Sequence, residues 1–191
     1  MNAVEQDAGT VARGLRRRDP TLIDYLIQQY QYRLLRYLLM LTGSRAEAED
    51  LFQETWMRVL EKGHQYKKRW KFETWLFTIG RHLAIDFLRR RQPQSLDALL
   101  QPVGSSRPLE LEDTASSSAF EQASQGEEAA SVATALAHLP PSCREVLTLR
   151  FHEDMALEEI ARIVDSPLST VKSRLYRGLE ELRNLLEGIG A

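Results

Sequence analysis

Residues Leu157 to Leu186 read LEEIARIVDSPLSTVKSRLYRGLEELRNLL, and this stretch predicts two short helices joined by a tight turn. Apolar residues recur at three- and four-residue spacing on both sides of Asp165-Ser166-Pro167, which gives each half one apolar face. The two faces carry Leu157, Ile160, Ala161 and Val164 on the first helix, and Val171, Leu175, Leu179 and Leu182 on the second. This layout is typical of a helix-turn-helix unit.

The second of these helices carries the side chains that would meet DNA if the unit binds a duplex. In a helix-turn-helix unit the second helix enters the major groove with its N-terminal residues towards the base edges. Lysine and arginine there donate hydrogen bonds to guanine, while serine and threonine suit phosphate. The candidate DNA-binding residues are Ser169, Thr170, Lys172, Ser173, Tyr176 and Arg177. The alternative is an ordinary helical hairpin with a solvated basic face.

A second unusual stretch lies upstream, where Arg69 to Gln92 read RWKFETWLFTIGRHLAIDFLRRRQ. It combines aromatic residues with positive charge and ends in consecutive arginines. A core helix explains part of the pattern, because an apolar stripe recurs at helical spacing. That stripe consists of Phe72, Leu76, Ile79 and Leu83. The other, basic face needs an explanation besides packing.

Helix start and stop signals divide the segment around this stretch. Asp19 is a good N-cap residue and Pro20 suits the first helical position. The helix that they begin is expected to stop at Thr42-Gly43, since glycine favours the left-handed backbone that ends many helices.

The next helix is predicted to begin at Ser44 and to end at Gly63. Ser44 and Glu47 match a capping box, in which two side chains satisfy free backbone amides reciprocally. No run of alternating β-branched residues occurs in this half of the chain, which argues against strands. We therefore predict an all-α fold.

Charge is unevenly distributed along the chain, although the net charge is only −2. Residues 1–91 hold 17 Lys and Arg against 11 Asp and Glu, whereas residues 92–131 hold 1 against 7. The acidic segment is also rich in serine, proline and glutamine, which is typical of a flexible linker. A basic first segment suggests polyanion binding. The predicted division is an N-terminal segment 1–18, a helical domain 19–92, a flexible acidic linker 93–130 and a small helical domain 131–188.

Several other classes of protein are disfavoured. The N-terminus has no signal-peptide core and no apolar run is long enough to span a membrane, so the protein is expected in the cytoplasm. The single cysteine, Cys143, cannot form an internal disulfide, and the four histidines show no HExxH spacing, so no metal site or cofactor is expected. An enzyme using Cys143 or His152 would lack a paired acid and an oxyanion motif.

Three blocks of the sequence together resemble one family, the bacterial RNA polymerase sigma factors of the extracytoplasmic-function (ECF) type, group IV of the sigma-70 superfamily. The blocks are AEDLFQETWMRVLEK (Ala48 to Lys62), FETWLFTIGRHLAIDFLRRR (Phe72 to Arg91) and LPPSCREVLTLRFHEDMALEEIARIVDSPLSTVKSRLYRGLEEL (Leu139 to Leu182). The resemblance implies a promoter-specificity subunit that binds core RNA polymerase, recognises the −10 and −35 promoter elements and promotes strand opening. The first helical domain would be sigma region 2. The second would be sigma region 4, whose six DNA-binding candidates on the second helix of the helix-turn-helix would contact the −35 element.

The resemblance also implies a task for the basic aromatic stretch, which is to capture unstacked bases of the −10 element. Stacking on an aromatic ring contributes about 1–3 kcal/mol per base, comparable with the cost of unstacking one. The positions that match the family's −10-reading surface are Arg69, Trp70, Lys71, Arg81, His82, Asp86, Arg89 and Arg90. Among these, Arg81 and Arg90, together with Arg91, would hold phosphates. Phe72 and Trp75 are assigned to the core.

The first block implies contact with the polymerase itself. In the family it docks on a helical clamp of the largest subunit, and the matching residues here are Asp50, Gln53 and Glu54. Asp50 and Glu54 lie on one helix face, where carboxylates would accept hydrogen bonds from arginines of a partner. The alternative is a plain solvated acidic face. An anti-sigma factor is the further partner that the resemblance implies.

An autonomous helix-turn-helix transcriptional regulator is the alternative function. Such regulators usually read paired half-sites as dimers. No segment of this sequence looks like a dedicated dimerisation helix, and the basic aromatic stretch would be left without a task.

Overall fold

The computed structural model describes residues 8–91 and 132–189, and the regular elements in these two ranges are all helical. The predicted all-α fold is confirmed. The first range contains α1 (Ala8–Arg17), α2 (Pro20–Thr42), α3 (Arg45–Lys62), a 3-10 turn (Gly63–Gln65) and α4 (Phe72–Arg91). The second contains α5 (132–138), α6 (Pro141–Leu147), a π-helical turn (Thr148–His152), α7 (Leu157–Ile163) and α8 (Leu168–Ile189). The predicted linker 93–130 lies outside the described residues.

The predicted boundaries of α2 are confirmed by its two caps. The Asp19 carboxylate accepts a hydrogen bond from the Thr21 N–H at 3.1 Å, and Pro20 occupies the first turn. At the other end, Gly43 has a φ of 69° and its N–H donates to the Leu39 carbonyl at 2.8 Å. A residue with a Cβ atom would be strained at this φ, so the glycine ends the helix.

The predicted capping box at the start of α3 is wrong. Ser44 occupies the N-cap position, but its side chain makes no capping hydrogen bond. Glu47 pairs instead with Arg91 at the end of α4. A charge-assisted bond of this kind is stronger than a neutral one, so the carboxylate turns towards the guanidinium rather than back to the cap.

The N-terminal segment contains a helix that the sequence analysis did not assign. Val11, Ala12 and Leu15 of α1 are buried and belong to the core of the first domain. Gly63 permits this close packing, because a Cβ atom there would lie 3.1 Å from the Leu15 Cβ. Helix α1 is therefore part of the first domain.

The aromatic residues that were assigned to the core do lie there. The Phe72 ring is buried, with ring centroids 5.6 Å from Tyr30 and 5.8 Å from Tyr66. Trp75 packs against the same cluster, 5.9 Å from Phe72. These rings join α2 and α4 to the loop that precedes α4.

The second domain contains the predicted helix-turn-helix. Asp165, between α7 and α8, adopts a φ of 48°, which aspartate tolerates better than most residues with a Cβ atom. The Ser166 N–H closes the turn on the Ala161 carbonyl at 3.0 Å. The apolar faces of both helices meet in one core that includes Ile160 and Val171.

The two domains also pack against each other. Tyr37 of α2 and Phe77 of α4 are fully buried and join the apolar core of the second domain. Their ring centroids lie 5.2 Å apart. Ion pairs lie around this contact: Arg33 and Arg36 of the first domain pair with Glu153 of the second, and Arg81 pairs with Glu145. We call the contact and these ion pairs together the domain interface. Within the described ranges, no helix is both long enough and apolar enough to cross a membrane.

Candidate nucleic-acid interface

The first turns of α8 hold all six residues that were assigned to the −35 element. Val171 and Gly178 bury one side of the helix, where it packs on α6 and α7. Thr170 is half-buried at the edge of this contact. The other five share the exposed side, which we call the recognition face: Ser169, Lys172, Ser173, Tyr176 and Arg177.

On the recognition face, Arg177 is held by an exposed ion pair. Arg177 donates to Glu181 at 2.8 Å, in a pair whose arginine is 65% exposed. An exposed pair at this spacing contributes little to stability, so DNA can replace Glu181 at small cost. Arg183 makes the same kind of bond to Glu187 further along the helix, at 2.7 Å.

Cys143 is a structural residue beneath α8. A Cβ atom at Gly178 would lie 3.2 Å from the Cys143 Cβ, so the glycine lets α6 and α8 approach closely. The thiol is buried, and burial raises the pKa of Cys143. A thiol that is inaccessible and mostly protonated is a poor nucleophile, which argues against a cysteine enzyme.

The loop before α4 holds three of the −10 candidates, Arg69, Trp70 and Lys71. Arg69 and Lys71 are exposed and Trp70 is half-buried. Tyr66 positions this loop: its buried ring packs against Trp75, and its hydroxyl donates to the Trp70 carbonyl at 2.7 Å. The sequence analysis missed this role, for which the only signal is an aromatic residue four positions before Trp70.

The Trp70 ring is contacted by two guanidinium groups. The Arg69 guanidinium carbon lies 5.2 Å from the ring centroid, and that of Arg162, on α7 of the second domain, lies 3.1 Å from it. Cations over an indole ring are attracted by its quadrupole. The ring that would receive a base is therefore engaged by the helix-turn-helix domain.

The −10 candidates on α4 fall into two groups. His82, Asp86, Arg89 and Arg90 are exposed, and their spacing places them on one side of the helix. Arg81 is only 7% exposed, and its Nε donates to Glu145 of the second domain at 2.7 Å. Its assigned contact with phosphate requires that Glu145 first be displaced.

The three residues assigned to the polymerase, Asp50, Gln53 and Glu54, are all exposed on one side of α3. Met57 and Leu60 continue the same side and are 60% and 38% exposed. Exposed apolar side chains beside acidic ones are a common feature of protein-binding surfaces. Sequence reasoning missed these two, because their spacing does not separate them from core positions.

A cleft of about 250 Å³ lies at the edge of the domain interface. Its walls are His82, Asp86 and Arg89 of α4 on one side, and the helix-turn-helix turn with Arg174 on the other. In the described ranges, no three His, Cys, Asp or Glu side chains are grouped so that they could hold a metal ion.

Comparison with known proteins finds family models for two separate parts of the chain. The family model for Sigma-70 region 2 matches residues 26–94, and that for Sigma-70, region 4 matches residues 129–182. The ECF RNA polymerase sigma factor SigE of Mycolicibacterium smegmatis is 34% identical over 163 residues, which cover 85% of this chain and 61% of that protein. The ECF RNA polymerase sigma factor SigX of Bacillus subtilis is 30% identical over 164 residues, covering 85% of this chain and 82% of that protein.

The fold is shared with a solved complex of the sigma factor RpoE with the anti-sigma factor NepR from Bartonella quintana. The TM-score is 0.66 at 23% sequence identity, and the match covers 86% of this chain and 96% of that chain. At this level of identity the likeness concerns the fold.

Proposed function

Since this chain belongs to the extracytoplasmic-function sigma factors of the sigma-70 family, we propose that it directs core RNA polymerase to promoters with −10 and −35 elements and promotes strand opening there. The observation that carries the proposal is the recognition face of α8. It presents two cations and three polar or aromatic groups at the start of a helix whose opposite side is anchored in a core. Such a face suits the major groove.

The first domain supplies the −10 contacts in this proposal. Trp70 would stack with an unstacked base, while His82, Asp86 and Arg89 would face the same strand. Arg90 would hold a phosphate, and so would Arg81 once it is released from Glu145. Stacking and phosphate contacts suit single-stranded DNA, because neither needs a paired base.

Two protein partners belong to the proposal. Core polymerase would bind the exposed side of α3, where Asp50, Gln53 and Glu54 precede Met57 along the helix. An anti-sigma factor is the second partner, and support comes from the shared fold with a sigma factor that was solved in complex with one. The protein acts without an active site of its own, in the cytoplasm.

Transcription in vitro with purified core polymerase on a library of promoters tests the proposal. The transcripts are sequenced to locate their start sites. We expect transcripts that need this protein and share a two-part upstream motif. Arg177→Ala should reduce them roughly 5- to 150-fold, the range for loss of a good base contact. Arg183→Ala is the matched control, because Arg183 makes the same exposed pair outside the recognition face. A footprint by the protein alone, without transcripts, would favour the autonomous regulator.

A further inference from the structure

The C-terminal end of α1 carries three consecutive arginines, Arg16, Arg17 and Arg18, and all three are exposed. The opposite side of this helix is buried in the first domain. Among the described residues, none of the three side chains has a hydrogen-bond or ion-pair partner. Several other exposed arginines of the first domain pair with carboxylates, as Arg45 does with Glu49 at 2.8 Å. The triplet is therefore a site of unpaired positive charge.

Arg18 has a backbone conformation that favours glycine. Its φ is 53°, in the left-handed region. Its N–H donates to the Leu15 carbonyl at 3.2 Å, and the Asp19 N–H donates to the Gly14 carbonyl at 3.0 Å. This pair of bonds is the Schellman motif that ends many helices, and glycine is the usual residue at its left-handed position. An arginine there strains the backbone, and strain of this kind is concentrated at functional sites. The strain points to a role for the Arg18 side chain outside the fold.

The end of α1 lies beside the loop that precedes α4. A Cβ atom at Gly63 would lie 3.1 Å from the Leu15 Cβ and 3.3 Å from the Leu15 carbonyl oxygen. Gly63 begins the 3-10 turn that leads into this loop, and the loop adds two exposed cations, Lys67 and Lys68. Neither lysine has an ion-pair partner within residues 8–91 and 132–189. The three arginines and these two lysines, which we call the basic corner, therefore lie at the start of the loop that carries Trp70.

The basic corner is within reach of a DNA strand that is bound at Trp70. Trp70 is seven positions after Gly63, so the two residues are at most about 24 Å apart. A strand with a phosphate at about every 3.4 Å of helix axis covers this distance in roughly seven nucleotides. Arginine and lysine side chains without partners suit these phosphates, because binding then releases counterions and breaks no existing ion pair.

We propose that the basic corner is a further DNA-binding surface, which holds phosphates of the promoter strand next to the base that stacks on Trp70. The match to the Sigma-70 region 2 model begins at residue 26, so the three arginines lie outside it. This inference rests on the proposed function, because it extends the DNA contact of the same loop. The surface binds independently of base sequence, since phosphate contacts position a protein on DNA and base contacts specify the site.

The dipole of α1 explains only part of this pattern. Cations at the C-terminal end of a helix complement its dipole, so Arg16 and Arg17 stabilise α1 without any ligand. The dipole does not account for Arg18, whose conformation suits glycine better. Nor does it account for Lys67 and Lys68, which lie in the loop between the 3-10 turn and α4. DNA binding and stability therefore have to be measured separately.

The salt dependence of promoter binding by the complex with core polymerase tests the inference, on one promoter from the library. Each phosphate contact that is lost from a single strand should make the plot of log K against log salt concentration less steep by about 0.7. Arg16→Gln/Arg17→Gln should therefore reduce the slope by about 1.4. If the two plots meet at 1 M salt, its affinity at 0.1 M salt is about 25-fold below wild type.

Two matched variants control for this effect. Arg16→Lys/Arg17→Lys keeps both charges and should keep the wild-type slope, because a phosphate contact needs the cation rather than the guanidinium shape. Arg45→Gln/Arg183→Gln removes two exposed arginine charges from α3 and α8, each from an ion pair with a glutamate one turn away. This second variant should bind promoter DNA with the wild-type slope.

Arg18→Gly separates DNA binding from folding. Glycine adopts the left-handed conformation without strain, so this variant should unfold at a urea concentration no lower than wild type. It also removes one cation, so the complex with core polymerase should bind promoter DNA about fivefold more weakly at 0.1 M salt. A variant that unfolds at a lower urea concentration, or that binds DNA as tightly as wild type, would remove Arg18 from the basic corner.

Neutral phosphate analogues locate the contact on the DNA strand. A methylphosphonate has no charge, so at a contacted position it should weaken binding by wild type and have no further effect on Arg16→Gln/Arg17→Gln. Two changes that remove the same contact are not additive. Additive effects at every position within seven nucleotides of the −10 element would contradict the proposed contact.

The outcomes separate this inference from the proposed function. If the wild-type chain supports transcription, while Arg16→Gln/Arg17→Gln has the slope and the affinity of the Arg45→Gln/Arg183→Gln control, the basic corner is not a DNA-binding surface and the proposed function stands. Failure of the wild-type chain to transcribe with core polymerase overturns the proposed function, and the inference that rests on it falls as well.

Discussion

Replacement of Trp70 by alanine should impair strand opening, and the structure sets the size of the effect. In the complex with polymerase, the variant loses one base stack, which contributes about 1–3 kcal/mol. That corresponds to a roughly 5- to 150-fold lower equilibrium constant for opening. In the free chain the same substitution also removes the contact with Arg162, a cation–π interaction of about 0.5–2 kcal/mol.

These two losses have opposite effects on the binding of single-stranded DNA by the free chain. The variant should therefore lose this affinity by a smaller factor than it loses promoter opening. Trp70→Phe should keep part of the stacking energy and fall between wild type and Trp70→Ala. Arg162→Ala removes the cation and leaves the Trp70 ring in place, so it should leave opening by the polymerase complex unchanged and raise the affinity of the free chain for single-stranded DNA.

Permanganate reactivity of unpaired thymines around the start site measures opening, with protection of the −35 element in the same reactions as the control for promoter binding. If Trp70→Ala opened promoters as well as wild type at equal −35 protection, the assignment of this ring to a base would be refuted. Loss of −35 protection in parallel with opening would instead indicate a folding defect.

Three further outcomes follow from contacts described above. Asp19→Ala should lower the free energy of unfolding by about 1 kcal/mol in urea titrations. Ser44→Ala should lower it far less, because the Ser44 side chain makes no capping bond. Equal losses in the two variants would contradict the cap geometry. Burial, with a smaller effect of the Glu73 carboxylate, raises the pKa of Tyr30 to about 12, so the folded chain retains a proton that the unfolded chain releases near pH 10. Stability should therefore fall as the pH rises from 10 towards 12, and Tyr30→Phe should reduce that slope. Cys143→Ala should retain transcription. A thiol reagent should modify wild-type Cys143 only as the chain unfolds, and rapid labelling of the folded protein would contradict the burial of this thiol.

Local signals in the sequence were sufficient for most helix boundaries. Asp19 and Gly43 each specify a backbone conformation at one position, so the ends of α2 could be predicted without knowledge of the fold. The turn at Asp165 was predictable in the same way. The capping box at Ser44 failed because Glu47 has a competing partner, Arg91, 44 residues away. Local patterns do not reveal such competition.

The domain interface could not be predicted either, because its contacts also join residues that are far apart in the sequence. Arg33 and Glu153 are separated by 120 positions, and neither belongs to a periodic pattern. Charged residues of this kind are mostly exposed in proteins, so sequence reasoning treats them as solvated. Arg81 was assigned to phosphate from its charge and position, whereas its partner in the structure, Glu145, depends on how the two domains pack.

The way in which Tyr37, Arg81 and Glu145 are buried together has a kinetic consequence. If Arg81 alone left the group, a charged carboxylate would remain buried without its partner, at a cost of about 3–5 kcal/mol. Partly opened states are therefore scarcely populated, and the domains exchange between two states rather than drifting apart gradually. A fluorophore pair placed on the two domains should then relax in a single exponential phase after a jump in salt concentration.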